Sequence, residues 1–219
     1  MDRLLELQPQ FWTAAVETLY IVGLSLLFSG IIGLLLGIGL YTSRPGSLLP
    51  NRPVSVTINF LINTFRPIPF IIFLVAFQPV ARAITGTGIG NAAIIFTLSL
   101  AASFAVGRIV EQNLLTVNPG VIEAARSVGA GRFRIIATVL LPEALGPLIL
   151  GYSFIFVAIV DMAAVAGAAG GGGLGAFALL YGHRQFNPTV TWAAVIVIII
   201  LVQGVQFFAN WLARRVLRR

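Results

Sequence analysis

The chain of 219 residues contains no cysteine, no lysine and a single histidine. Without cysteine there can be no disulfide, thiolate metal site or cysteine nucleophile. His183 alone cannot build a multi-histidine metal site within one chain. Without lysine, the phosphate-binding loop G-x-x-x-x-G-K-[ST] and Schiff-base chemistry are both excluded. We therefore expect no metal or cofactor in this chain, and any ATP that it uses must be bound by another chain.

Charge is also scarce, because only 10% of the residues are charged whereas 58% are hydrophobic. Soluble domains carry about 25% charged residues. A soluble domain of this composition would have to expose a large apolar surface to water. The composition therefore excludes a water-soluble enzyme and predicts an all-α integral membrane protein. The net charge of +7 does not indicate nucleic-acid binding, since arginine is enriched in the cytoplasmic loops of membrane proteins.

Long segments without a charged residue mark the candidate membrane spans. A helical span needs about 20 apolar residues. The pattern predicts one transmembrane domain over residues 1–219 with five spans, near residues 15–41, 56–79, 90–110, 144–166 and 190–212. The second span is the least regular, because Pro67, Pro69 and Pro79 interrupt it.

The arginines are distributed unequally between the two sides that five alternating spans create. One side holds 10 arginines and the other holds 3, with Arg66 not assigned to either side. Arginine is retained on the cytoplasmic side of membrane proteins. The distribution therefore predicts a cytoplasmic C-terminus, an external N-terminus and a cytoplasmic loop at residues 111–143.

This cytoplasmic loop contains a short amphipathic helix. The turn at Pro119 precedes a helical pattern over residues 121–128, and Gly129 and Gly131 are expected to end it. A second, basic helix is expected to begin at Arg132 and to lead to Pro142. An apolar stripe beside two charges is typical of a docking helix or of a helix on the membrane surface; its members are Val121, Ala125 and Val128, flanked by Glu123 and Arg126.

The same loop carries a motif of fixed spacing. Glu123-Ala124-Ala125, Gly129, Val139 and Leu141-Pro142 resemble the EAA loop of ABC importer permeases, E-A-A-x3-G-x9-I-x-L-P, with valine in place of isoleucine. The resemblance implies a type I ABC importer permease fold, in which this loop couples to a separate ATPase that binds ATP and Mg. The residues implied in coupling are Glu123, Ala124, Ala125, Gly129, Leu141 and Pro142.

Other segments are similar to the methionine-uptake branch of these permeases. They are Glu17-Thr18-Leu19, residues 42–46, residues 65–72, residues 86–90 and residues 172–175. The resemblance implies a multi-pass protein of the bacterial inner membrane that imports methionine or a related amino acid. It also implies a second copy of the chain, two ATPase subunits and an external solute-binding lipoprotein as partners. Another amino acid or an osmolyte, an ATP-independent channel or proton-coupled carrier using Asp161, and a non-transporting scaffold are the alternatives.

Small residues in two segments suggest structural or gating roles. Ser25, Ser29, Gly33 and Gly37 recur every four residues, which predicts a face for close helix packing. Gly170, Gly172 and Gly175 satisfy G-x-G-x-x-G, but no strand precedes them and a dinucleotide site is therefore not predicted. The glycine-rich stretch, including Gly172, Gly173 and Gly175, is either a re-entrant or gating segment or a plain outer loop.

Two charged residues lie in or beside predicted spans. Asp161 interrupts the fourth span, where it could be solvated at the outer interface, pair with Arg66, or line the solute path. Arg66 stands beside the prolines of the second span. It either shapes the path at this kink or extends its side chain to the inner interface.

Overall fold

A computed structural model describes residues 6–217, and every regular element in that range is helical. This agrees with the all-α prediction. In chain order the elements are α1 (Gln8–Thr42), α2 (Arg52–Phe65), α3 (Phe70–Thr85), α4 (Asn91–Leu114), α5 (Pro119–Ser127), α6 (Arg132–Ile135), a π-helical segment (Ile136–Leu140), α7 (Leu141–Ala168), α8 (Gly173–Phe177), a second π-helical segment (Ala178–His183) and α9 (Pro188–Leu217).

Four helical stretches are long and apolar enough to cross a bilayer by themselves: Gln8–Thr42, Asn91–Leu114, Arg132–Ala168 and Pro188–Leu217. The pair α2 and α3 passes the same test only when taken together, which gives five candidate spans. The pair is interrupted at residues 66–69 because Pro67 and Pro69 have no backbone N–H to donate. Pro79, by contrast, lies inside α3 and does not end it, so the break predicted there does not occur.

The helices extend beyond the predicted spans at both ends. α1 begins at Gln8, before the predicted start at residue 15, and α4 continues to Leu114 instead of stopping near residue 110. The extension of α4 places Glu111, the first residue of the predicted loop 111–143, inside a helix three residues after Arg108. Charged residues are tolerated in these turns because they lie at the end of the apolar stretch, where they find partners.

The described residues form two compact units. The first unit consists of residues 6–29, 68–102 and 155–206, and the second of residues 30–67, 103–154 and 207–217. In the first unit, Leu7, Ala14 and Ala15 of the N-terminal segment pack with a buried cluster that includes Leu174 and Phe177. The rings of Phe11 and Phe177 meet edge to face, with centroids 5.4 Å apart.

The second unit contains a close contact between two long helices. Gly33 and Gly37 of α1 lie against Val106 and Val110 of α4, and a Cβ added at Gly37 would come within 2.7 Å of the Gly107 carbonyl oxygen. Only glycine allows the two backbones to approach this closely. In the second half of the predicted small-residue stripe, Gly33 and Gly37 thus lie at a contact between two helices. Ser25 and Ser29, its first half, are fully buried.

Candidate functional site

Helix α5, at the centre of the predicted cytoplasmic loop, has a well-defined N-terminus. Pro119 occupies its first turn, where a missing N–H has no cost. The side-chain Oδ1 of Asn118 accepts a hydrogen bond from the backbone N–H of Gly120 at 2.9 Å. Asparagine at this position satisfies a donor that would otherwise have no partner. The local sequence therefore fixes where this short helix begins.

The C-terminus of α5 is closed by a Schellman motif centred on Gly129. Ala130 N–H donates to the Ala125 carbonyl at 3.1 Å, and Gly129 N–H donates to the Arg126 carbonyl at 2.9 Å. Gly129 adopts a φ of +78°, a left-handed conformation that is costly for a residue with a Cβ. Space is not the constraint here, since a Cβ at Gly129 would meet no atom within 4 Å.

The helix presents an exposed surface that is partly apolar. Ile122 is buried within the second unit, to which α5 belongs, whereas Glu123 and Ala124 are exposed. Val128 is 83% exposed and Phe133, just after the loop turn, is 76% exposed. Large apolar side chains this exposed are typical of a surface that another protein or the lipid headgroup region covers. This arrangement is chemically suited to docking rather than to catalysis.

The last part of the motif, Leu141-Pro142, begins α7. The sequence led us to expect a basic helix leading to Pro142, but the chain passes through a π-helical turn at Ile136–Leu140 and continues helically through the proline. In an α-helix the ring of Pro142 would clash with the carbonyl of residue 138. A wider π turn relieves such a clash. Leu141 is half-buried and Pro142 is exposed.

A buried ion cluster, which the sequence analysis did not identify, lies in the same unit. Glu111 is 1% exposed, and its two carboxylate oxygens each lie 2.6 Å from an arginine nitrogen, one of Arg44 and one of Arg108. Arg108 also donates to Asn59 Oδ1 at 2.9 Å and to Asn63 Oδ1 at 2.7 Å. The cluster joins the end of α1, α2 and α4. The sequence signal for this cluster was Glu111, an acidic residue three positions after Arg108 at the end of an apolar run.

The ion cluster and α5 are connected through the turn that follows α1. Arg126 of α5 donates from Nη2 to the carbonyl oxygen of Ser47 at 3.2 Å. Arg44 belongs to the same turn and pairs with Glu111. The turn that follows α1 thus contacts both α5 and the buried ion cluster.

The glycine-rich segment is held by side chains from two helices of the first unit. Backbone N–H groups of Gly172, Gly173 and Leu174 donate to Asn91 Oδ1 at 3.0 Å, Glu17 Oε2 at 2.9 Å and Thr18 Oγ1 at 2.8 Å. Buried backbone N–H groups outside a regular helix need such acceptors. Gly173 has a φ of +87° and is buried. The stretch is therefore a packed, anchored turn in this structure.

The backbone at Gly175 lies too close to α7 for any larger residue. A Cβ on Gly175 would collide with the backbone of Ala164 in α7, and one on Gly167 would lie 2.6 Å from the Ala176 nitrogen. The chain thus folds back against the end of α7. Sequence reasoning identified the glycines but not their partners Glu17, Thr18 and Asn91.

The two charged residues associated with the spans are both exposed. Asp161 lies in α7 within the first unit, and Arg66 caps the end of α2 within the second. Within residues 6–217 the observed ion pairs involve Glu111, and Asp161 takes part in none of them. The roles considered for both residues remain predictions.

Known proteins resemble the chain over nearly its whole length. Residues 29–218 match the family described as binding-protein-dependent transport system inner membrane component. The probable D-methionine transport system permease protein MetI of Vibrio cholerae is 39% identical over 204 residues, which cover 93% of this chain and 91% of that protein. The methionine import system permease protein MetP of Bacillus subtilis is 37% identical and covers 92% and 90% of the two chains.

Solved structures of transporter chains also resemble this chain. A chain from inward-facing conformations of the MetNI methionine ABC transporter superposes with a TM-score of 0.93 at 37% identity, covering 96% of this chain and 98% of that one. An amino acid ABC transporter with histidines matches with a TM-score of 0.80 at 18% identity, which supports the fold alone.

Proposed function

The chain belongs to the family of binding-protein-dependent transport system inner membrane components, and from this premise we propose that it imports methionine. It is a multi-pass permease subunit of an ABC importer rather than an enzyme. The observation that carries the solute assignment is identity of 37–39% to methionine permeases over nine-tenths of both chains. Another amino acid or an osmolyte has no comparable support.

The partners of the transporter follow from the docking surface. Glu123, Val128 and Phe133 are all exposed on this loop, and an ATPase subunit would cover them. The chain has no lysine for a phosphate-binding loop. ATP and Mg therefore belong to two partner ATPases, which act on a pair of permease chains. An external solute-binding lipoprotein would deliver the solute. A proton-coupled carrier would have no use for such a docking helix.

Coupling would proceed by displacement of α5. When the ATPases close on ATP, α5 moves with them, and the Arg126–Ser47 contact carries that movement to the turn that holds Arg44. We infer that the coupling residues are those of the EAA motif, with Gly129 setting the turn after the helix. The motif residues Ala124, Ala125, Leu141 and Pro142 shape the docking face and the entry into α7.

Two glycines of the loop provide a matched test of coupling. Gly129→Val forces valine into a left-handed conformation, whereas Gly131 has a φ of −67° and open space around it. We expect Gly129→Val to abolish ATP-driven methionine uptake in proteoliposomes while the protein remains in the membrane. Gly131→Val should transport within about two-fold of the parent, as an unstrained surface change of at most about 0.5 kcal/mol. Equal uptake by both variants would contradict the assignment of this loop to coupling.

The orientation of the chain in the membrane is a separate proposal. The arginine distribution places α5 in the cytoplasm and the loop between α3 and α4 outside. The chain has no cysteine, so that single cysteines can be introduced at the exposed positions Ser127 and Thr87. Membrane-impermeant thiol reagents should label Ser127→Cys only from the cytoplasmic side and Thr87→Cys only from outside. Labelling of both from one side would contradict this topology.

A further inference from the structure

The depth of Asp161 follows from the anchored glycine turn. Glu17 and Thr18, which accept hydrogen bonds from this turn, lie just inside the predicted start of the first span at residue 15. Asn91, the third anchor, is the first residue of α4, and the third span is predicted to start at residue 90. The predicted limits of two spans thus both put the turn near the edge of the hydrocarbon layer.

Asp161 lies well below that edge. It lies three residues before Ala164 and six before Gly167, the residues of α7 that pack against the glycine turn, which corresponds to about 5–9 Å along a helix. The hydrocarbon core of a bilayer is about 30 Å thick. On the predicted span limits, the Cα of Asp161 is therefore about 5–9 Å inside this core. This depth argues against a carboxylate that is solvated at the outer interface.

The side chain of Asp161 also points away from its own unit. Neighbours on the opposite side of α7, Ile159 and Ala163, are 0% and 6% exposed. Asp161 is exposed together with Val165, one turn further along the same face. Within the described residues its carboxylate has neither a hydrogen-bond donor nor an ion-pair partner. The face it shares with Val165 must therefore meet something outside this part of the molecule.

Lipid is the least favourable occupant of that face. An ionised carboxylate within a span is costly in lipid, by about 2.5–3.5 kcal/mol at the helix centre on insertion scales and less toward its ends, and such groups normally face a partner or a water-filled cavity. In the proposed importer the water-filled cavity is the solute path. The solute is an amino acid, whose α-ammonium group complements a carboxylate in charge and as a hydrogen-bond donor.

We propose that Asp161 lines the solute path and binds the α-ammonium group of the transported amino acid, with Val165 contacting its apolar side chain. The proposal rests on the proposed import function. A two-fold symmetric pair of permease chains would present two such carboxylates at the same depth. The chain would then contribute to solute recognition inside the membrane, in addition to recognition by the external binding protein.

The charge of Asp161 can be removed without changing its shape. In proteoliposomes with the ATPase and binding protein, Asp161→Asn should lower methionine uptake about ten-fold or more, as expected for a lost hydrogen bond to a charged group. The 2-hydroxy analogue of methionine lacks the ammonium group. The uptake ratio of methionine to this analogue, measured with the same binding protein, should therefore fall in Asp161→Asn. An unchanged rate or an unchanged ratio would overturn the proposal.

Access by water can be tested at the same position. Asp161→Cys should react with water-soluble methanethiosulfonates, whereas Ile159→Cys, on the packed side of the same turn region, should not. A sulfonate reagent restores a negative charge and should recover part of the uptake, while a trimethylammonium reagent should not. An unreactive Asp161→Cys in a folded complex, or equal recovery with both reagents, would contradict a path-lining carboxylate.

The outcomes separate this proposal from the import function itself. If the parent complex shows no ATP-dependent methionine uptake, the proposed function fails. If the parent transports and Asp161→Asn still assembles with the ATPase and hydrolyses ATP, the uptake ratio decides the role of Asp161. If Asp161→Asn is lost from the membrane and Arg66→Gln restores it, Asp161 is a structural ion-pair partner and the proposal is wrong.

Discussion

The buried carboxylate of Glu111 allows a prediction with a defined magnitude. Glu111→Gln keeps the volume of the side chain but removes the negative charge that lies between Arg44 and Arg108. Breaking a buried ion pair by removing one partner typically costs about 3–5 kcal/mol, because the other charge is left uncompensated. The side chain of Arg108 is only 16% exposed and cannot easily regain water, whereas that of Arg44 is 36% exposed and can.

These exposures set the expected size of the effect. Arg108 would keep its bonds to Asn59 and Asn63, so that we expect the lower end of the range, about 3 kcal/mol. Arg44→Gln removes a more exposed partner and should cost about 1 kcal/mol or less. For a chain of this size, each 1 kcal/mol lowers Tm by about 2–4 °C. Glu111→Gln should therefore lower Tm by about 6–12 °C.

The assay is thermal unfolding of the detergent-solubilised protein, followed by the loss of its monodisperse peak in size-exclusion chromatography. Glu123→Gln is the matched control, because it removes an exposed carboxylate of the same unit and should leave Tm unchanged. The reasoning would be refuted if Glu111→Gln shifted Tm no more than Glu123→Gln. It would also be refuted if Arg44→Gln lowered Tm more than Glu111→Gln.

Two further predictions concern packing and the glycine turn. Gly37→Ala should lower the free energy of unfolding by about 1–3 kcal/mol, because the added methyl overpacks against Gly107 and Val110. Gly23→Ala is the control on the same helix, since no atom lies within 4 Å of its added methyl, and it should leave Tm unchanged or raise it. Equal shifts in Tm would contradict the close approach of α1 and α4. Thr18→Val leaves the buried N–H of Leu174 without its acceptor, which should cost about 1–3 kcal/mol. Thr13→Val, which loses only a bond within its own helix, should have less effect on Tm, and the reverse order would refute the anchoring role of Thr18.

Local patterns were sufficient for the features that depend on composition and short spacing. The apolar runs predicted the number of candidate spans, because the length of a helix across the bilayer is set by its thickness. The spacing from Glu123 to Pro142 predicted a coupling loop, which stays a prediction, and the glycines at positions 129 and 131 marked where α5 ends. These inferences need only neighbours in the chain, since helix periods and caps are local.

Contacts between distant segments could not be predicted in this way. The burial of Glu111 depends on Arg44 and Asn59, and the conformation of Gly173 depends on Glu17. A hydrophobic pattern tells which residues avoid water but not which helices are neighbours. In a span that is apolar on all sides, even the buried face is undetermined. The sequence by itself determined the all-helical membrane class and the position of the short helix α5, whereas the tertiary structure alone decided which side chains neutralise Glu111, anchor the glycine turn and leave Asp161 exposed.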